Sequence, residues 1–524
     1  MAVDLRHGSP GAGERTATRG PAGPRRWPSW VVPGGPALLA LALGLWGLRR
    51  QDALWRDEAA TWEVAQRSLP EIWHLLGHVD VVHGLYYLLI HAVFEVFGAG
   101  PAVLRLPSVL AVTVAAAATA ATARRLTGPM GALAAGLVPA LLPVMQRYAQ
   151  EGRSFALVTA GVAVATWLLV GVLCPAESDG PRDGRGRRMA YGWRWAGYTV
   201  VMLGTALLNW LSLFALAAHG VTVLIARRSG QRPQPARWLT AAAVIVPGAL
   251  PLVLASRPQA GQVAWIPPAS AASLLGVTAM LVVALVCARV PRPAGTEPSP
   301  MSVGLPLLAV PQLGLLLASW LVTPLYVDRY VLFSYLGLAL LVGPAVGWAV
   351  RSAGAYARRR GGVRVRGEAL LAGIVAVVFL ALLPLELGLR EPTSRTDDVR
   401  VAAAEVAALA RPGDGVVYIP DQRRDAALVT PSSFRGLDDL ALAEDPVTSG
   451  TLYGVEASPA RIRAAMLARH RIVLVSDTDP APLPPAPRDL VKRTVLDRYF
   501  VRVTTADTGG RRVAVYERAP DHGR

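Results

Sequence analysis

Trp55-Arg56-Asp57-Glu58 follows the first apolar run of the chain, with Trp62 and Glu63 close behind and His83 further on. Its reading decides the fold, because adjacent carboxylates beside a membrane surface are costly to place without a partner or a task. The apolar runs on either side have to be tested as membrane spans, and the charges between them as markers of orientation.

The 524 residues are 53% hydrophobic with a mean hydropathy of +0.38, and charge seldom interrupts the chain before residue 390. A soluble chain of this size is excluded on that pattern. Basic residues outnumber acidic ones, 53 to 36, and every basic residue except Lys492 is Arg. A pI near 10.7 would suit nucleic acid. The Arg residues, however, gather in short loops between apolar runs, where the positive-inside rule puts them, so no nucleic-acid partner is expected. Cys174 and Cys287 form no spaced pair and no Cys/His cluster, which points away from zinc sites and disulfide frameworks.

A span needs roughly 20 apolar residues. Suitable runs fall at 31–48, 103–123, 129–146, 154–174, 196–210, 211–226, 238–255, 269–288, 301–322, 330–350 and 368–388, about eleven spans in all. No small-residue cleavage site follows the first, so it reads as a retained span. Residues 1–29, rich in Gly, Pro and Arg, read as a disordered basic cytoplasmic tail. The threading then puts the Arg clusters at 124–125, 182–194, 227–237, 289–292 and 351–366 in cytoplasmic loops, in agreement with the positive-inside rule. The apolar stretch 83–98 is short and carries His83, His91 and Glu95. Counting it as a span would invert the rest, so it reads as an interfacial or re-entrant helix. Trp62, Ala65, Leu69, Ile72 and Leu76 form one apolar helical stripe, and Ser68-Leu69-Pro70-Glu71 has capping-box spacing.

The expected organisation is a polytopic α-helical membrane domain over 30–390, with a first outer loop at 49–102, followed by a soluble α/β domain over 391–524. That domain should hold helices at 397–410 and 459–469 and strands at 415–420, 471–476, 499–505 and 512–517. An odd number of spans puts it on the same side as Asp57.

Four polar clusters reach that side: Asp57-Glu58 with His83 downstream; Gln146 to Arg153, which holds Tyr148, Glu151 and Arg153; Arg257 to Gln262; and Tyr326 to Tyr330, which holds Arg329. Sugar transfer from a lipid-linked phosphate needs this combination. An acceptor hydroxyl attacks only if a positioned carboxylate takes its proton. The departing phosphate gathers charge, which Arg stabilises best, with Tyr or His as further donors. Asp57 and Glu58 are therefore the candidate catalytic acids. His83, Tyr148, Glu151, Arg153, Arg257, Gln262, Arg329 and Tyr330 are candidate donor or substrate contacts. Glu151 and Arg153 are close enough in sequence to pair with each other, Arg105 reads as a packing or lipid contact, and Arg49-Arg50 read as lipid-headgroup contacts.

These motifs resemble the C-type glycosyltransferases, specifically the protein O-mannosyltransferase and aminoarabinose-transferase superfamily and its actinobacterial mannosyltransferase-like members. Trp55-Arg56-Asp57-Glu58 is similar to their acidic first-loop motif, and Asp80 to Leu89 to a His-Pro-Pro-Leu-Tyr-Tyr segment. Arg105-Leu106-Pro107-Ser108 is similar to an Arg-Leu-Pro-Ser element, and Arg147 to Ser154 to a Tyr-Ser-Gln-Glu-Ala-Arg element. Gly84 and Gly152 depart from the pattern, standing where it has proline and alanine. The resemblance implies the C-type fold and inverting transfer of mannose or a related hexose from a polyprenyl-phosphate donor. The acceptor would be a glycan, lipid or protein on the outer face of the plasma membrane. It gives Asp57 as base, with Arg329 and Tyr330 at the donor phosphate. Cofactors are expected to be none, although Asp57, Glu58 and Glu151 are the acids that a divalent cation would use. The alternative from another class is a lipid-carrier flippase or transporter. Such proteins carry paired repeats and mid-membrane charge, whereas the charges here sit at one face.

Overall fold

A computed structural model describes residues 30–174, 184–229, 235–291, 298–360, 366–478 and 486–520. The tail 1–29 and the loop residues Arg182, Arg232, Arg292 and Arg364 lie outside them. Among the described residues, eight helices are long and apolar enough to cross a membrane: Pro101–Leu126, Phe155–Leu173, Trp210–Arg228, Pro235–Ser256, Ala271–Ala288, Pro300–Leu321, Asp328–Arg359 and Gly367–Gly388. Each overlaps an expected run.

The other three expected runs depart from that standard for identifiable reasons. Val31–Leu45 is an apolar helix of only 15 residues. The run 129–146 is two helices, Pro129–Leu141 and Pro143–Ala149, bent by 60°. Leu142 precedes a proline, which drives it out of helical backbone to φ −70° and ψ 120°. The run 196–210 is the end of a longer helix, Gly184–Leu208, whose first turns carry several Arg. The Asn209 side chain then accepts from the Leu211 N–H at 3.0 Å and turns the chain into the next helix.

Small residues let these helices approach closely. A Cβ on Gly343 would lie 2.5 Å from Ala135 Cα, and one on Gly347 would lie 2.7 Å from Gly131 Cα. Helices Pro129–Leu141 and Tyr335–Arg359 therefore meet backbone to backbone, the small-residue contact that lipid-embedded helices favour over apolar burial.

The loop before Pro101 forms helices Arg56–Val64, Leu69–Leu76 and Gly84–Phe97. The capping box is present, with the Ser68 N–H donating to Glu71 Oε2 at 2.8 Å. After residue 390 the chain builds a five-stranded sheet in the order β2-β1-β5-β7-β6. The strands are β1 (Gly415–Ile419), β2 (Asp438–Asp439), β5 (Arg471–Asp477), β6 (Phe500–Thr508) and β7 (Arg511–Arg518), with a separate pair β3 (Leu442–Glu444) and β4 (Val455–Glu456). β1 is parallel to β2 and β5, whereas β7 is antiparallel to β5 and β6. Helix Val399–Leu409 buries Ala403 and Val406 on one face against Val416, Val473 and Val513. Helices Pro459–Leu467 and Pro487–Tyr499 cover the other through Ile462, Met466 and Val495. The sequence expectations omitted Pro487–Tyr499, whose charged positions hide its apolar stripe.

Candidate active site

Glu58 lies at the centre of the fold's polar machinery and is fully buried. Arg105 clamps it from the start of the first long span, Nε to Oε1 and Nη2 to Oε2, both at 2.8 Å. Arg50 Nη2 donates to Oε2 at 3.1 Å, and the Gly152 N–H donates to Oε1 at 2.9 Å. Burial alone would push this carboxyl up, but the two guanidiniums outweigh it and hold Glu58 at about 2. Arg105 further ties the loop by donating to the carbonyls of Leu48, Arg49 and Ala53. Arg105 and Arg50 thus correct the sequence reading, which gave Arg105 as a packing or lipid contact and Arg50 as a lipid-headgroup contact. Their partner is a buried carboxylate that no local pattern announces.

Asp57 points elsewhere. It is the second residue of helix Arg56–Val64, is partly exposed, and forms an ion pair with Arg329, Nη1 to Oδ2 at 3.4 Å. The two residues come from opposite ends of the membrane domain. The Arg329 guanidinium lies 5.4 to 5.8 Å from the ring centres of Trp265, Phe155 and Tyr330, an aromatic surround that strips water from it. The Tyr330 ring lies tilted against that of Phe155, with centres 5.9 Å apart, and the Tyr148 hydroxyl donates to Asp328 Oδ1 at 3.4 Å.

Arg153 does not pair with Glu151. Its Nη2 donates to His83 Nε2 at 2.7 Å and its Nη1 to the Asp57 carbonyl at 3.3 Å. Burial and the Arg153 charge hold His83 well below the ordinary histidine range, so its ring is neutral and accepts. Glu151 instead faces Arg395 of the soluble domain, Oε2 to Nε at 3.5 Å, and neither carboxylate oxygen accepts a hydrogen bond among the described residues. Burial pushes this carboxyl up to about 7, although Arg395 pulls the other way.

The segment 257–262 contributes through different residues than expected. Arg257 is exposed and its side chain has no partner among the described residues. Gln259 accepts from the Val81 N–H at 2.9 Å and donates to the Leu76 carbonyl at 3.3 Å, which anchors the chain before His83. The Gln262 amide pairs with Asp80, donating to Oδ1 at 3.1 Å and accepting from its N–H at 3.0 Å. Asp80, which sequence reasoning missed, also accepts from the Tyr87 hydroxyl. Its left-handed backbone, φ +60°, is a conformation Asp tolerates better than most residues. Among the described residues no group of three or more His, Cys, Asp and Glu is arranged to hold a metal ion. Glu58 has its oxygens engaged by Arg105, Arg50 and Gly152.

The arrangement sets an acid on a helix start beside an Arg wrapped in aromatic rings, with Arg153, His83 and Glu151 in the same cluster of polar groups. It can take a proton at Asp57 and hold an anion at Arg329.

No family model matches the chain, and no curated protein does. Solved structures do. The crystal structure of ArnT from Cupriavidus metallidurans bound to undecaprenyl phosphate aligns with a TM-score of 0.54 and 12% identity, covering 93% of this chain and 98% of that one. ArnT in the apo state aligns with the same TM-score and 14% identity. The archaeal oligosaccharyltransferase AglB from Archaeoglobus fulgidus aligns at a TM-score of 0.44 and 10% identity, covering 75% of that chain. Over nearly its whole length, the chain shares the fold of ArnT.

Proposed function

We propose that this chain transfers a sugar from a polyprenyl-phosphate donor to an acceptor hydroxyl, with Asp57 as general base. The observation that carries the proposal is the Asp57–Arg329 pair, which sets an acid against a guanidinium with both side chains still partly open to solvent. The fold shared with ArnT, a protein crystallised with undecaprenyl phosphate, supports a lipid-phosphate donor.

Asp57 accepts the acceptor's proton as the hydroxyl oxygen forms its bond to the anomeric carbon. The bond from that carbon to the phosphate oxygen breaks on the opposite face, which inverts the configuration. The phosphate leaves with the electron pair, and Arg329 exchanges its contact with Asp57 for one with the phosphate oxygens. In a desolvated surround such a contact is stronger than in water. Tyr330 and Tyr148 border that position, and Arg153 with neutral His83 sets the back wall behind Asp57. Glu58, with its oxygens taken by two Arg and an N–H, holds the frame instead of moving protons.

The proposed donor sugar is mannose or a related hexose, and the proposed setting is the outer face of the plasma membrane. The charged groups gather at one end of the helices, which favours an enzyme over a carrier. The test is transfer from synthetic polyprenyl-phosphate hexoses to an added acceptor by the purified protein. Transfer by the wild type and loss in Asp57→Asn is expected. Equal transfer by both would refute the assignment of the base.

A further inference from the structure

Among several contacts between the soluble and membrane domains, the segment Arg395 to Val399 meets the start of the helix that carries Asp57. Asp397 Oδ1 accepts the N–H of Arg56, 341 residues away, at 3.0 Å. Arg56 is the first residue of the helix whose second is Asp57. First-turn N–H groups have no partner inside their own helix, and Trp55, at the cap position, offers no side-chain acceptor. Asp397 supplies that acceptor, and its Oδ2 also pairs with Arg56 Nε at 3.2 Å. Beside it, Asp398 Oδ1 accepts from the Leu54 N–H at 3.3 Å, and the Val399 N–H donates to the Leu54 carbonyl at 2.8 Å. Two residues earlier, Arg395 Nη2 donates to the Arg147 carbonyl at 2.8 Å while its Nε faces Glu151.

The segment is itself held rigidly. Arg511, fully buried, grips Asp397 Oδ2 through Nη2 at 2.8 Å and reaches Asp425 through Nη1 at 2.5 Å and Nη2 at 2.7 Å. Val399 and Val429 pack with Leu54, Ala59 and Trp62 in one apolar cluster, so the contact is seated as well as bonded. Asp425–Val429 directly follows the carboxyl end of β1 and its short turn, the end of a parallel sheet where α/β folds place ligands. Here that end is occupied by the loop that carries Asp57.

We infer that Asp397 is a positioning residue for transfer: from the soluble domain it fixes the start of helix Arg56–Val64 and so the place of the Asp57 carboxylate. This rests on the assignment of Asp57 as base. The geometry makes the soluble domain a wall of the catalytic centre. A displacement of about 1 Å at a reacting group can cost about 100-fold in rate, so the lost contact should be read in turnover.

The test uses full-length protein with three variants and a double. Asp397→Ala removes the acceptor. Arg56→Pro removes the donor N–H and the side-chain pair from the other side, at a first helical position where proline is well tolerated. Asp425→Asn is the control, because it weakens the hold on Arg511 without touching Arg56. Asp397→Ala and Arg56→Pro should each lower kcat at least about tenfold, with donor affinity within about twofold of wild type. The double variant should be no worse than the poorer single, since both remove one contact. Asp425→Asn should keep kcat near wild type. Wild-type kcat in Asp397→Ala, additive losses in the double, or an equal loss in Asp425→Asn would overturn the inference. If Asp397→Ala does not fold, Arg56→Pro against Asp425→Asn decides it on the same readings. Failure of the wild type to transfer any sugar would instead refute the proposed function.

Discussion

Glu58→Gln separates a frame carboxylate from a catalytic one. The substitution keeps shape but removes the charge that Arg105 and Arg50 share, leaving two buried guanidiniums with a neutral amide. Removing one partner of a buried ion pair costs about 3–5 kcal/mol, because the remaining charge stays desolvated. The carboxyl's own titration gives a similar size: moving from 4.5 to about 2 in a fully buried site corresponds to about 3 kcal/mol. A carboxyl held low contributes its full stabilisation above its unfolded value of 4.5 and loses it as pH falls toward 2. At pH 7 the whole contribution is therefore at stake. The assay is heat inactivation of purified, detergent-solubilised protein, alongside single-turnover transfer normalised to monodisperse protein. Glu58→Gln should lose heat tolerance sharply at pH 7 and much less near pH 3, while the folded fraction keeps most of its turnover. A variant as heat-stable as wild type with turnover abolished would refute the frame role and return Glu58 to the chemistry.

Asp57→Asn, which cannot accept a proton, should lower single-turnover transfer by roughly 10²–10⁴-fold with donor binding little changed. Arg329→Ala should weaken donor binding and turnover together, since the phosphate loses its cation in both ground and transition states; retained donor affinity in a direct binding assay would count against it. Glu151 is held high, so its contribution is complete below 4.5 and lost as pH rises toward about 7. Thermal shifts at pH 5 and pH 8 should show Glu151→Gln with a smaller alkaline loss than wild type, and identical losses would refute the raised carboxyl. For topology, Cys174 and Cys287 are replaced by Ser and a single cysteine is placed at Ser432 or Arg359. An impermeant thiol reagent added outside should label the first and not the second, and the reverse would invert the proposed orientation.

Much of the helical frame was legible because a span is a local, repeated signal: about 20 apolar residues in a row need no knowledge of partners. What was misread lay in partners. Arg105 enters a span as a lone charge, and its carboxylate lies 47 residues earlier, so nothing nearby distinguishes a clamp from a lipid contact. Glu151 and Arg153 look like a pair because they are close in sequence, yet each finds a better partner from a distant element, Arg395 and His83. Asp80 and Gln259 carried even less signal, since both act by fixing backbone geometry in a loop.

The Asp57-Glu58 pair shows how far local geometry goes once the element is known. Adjacent residues on a helix diverge by about 100°, so two neighbouring carboxylates cannot both face one reacting centre. Here Glu58 turns inward to Arg105 and Arg50, while Asp57 turns to Arg329 and stays partly exposed. The division of labour follows from the helical turn, because the side facing the core must be neutralised and only the other stays free to change partners. Which acid took which role depended on the direction from which Arg105 and the soluble domain approach helix Arg56–Val64. Asp397, at the foot of that helix, fixes it in place.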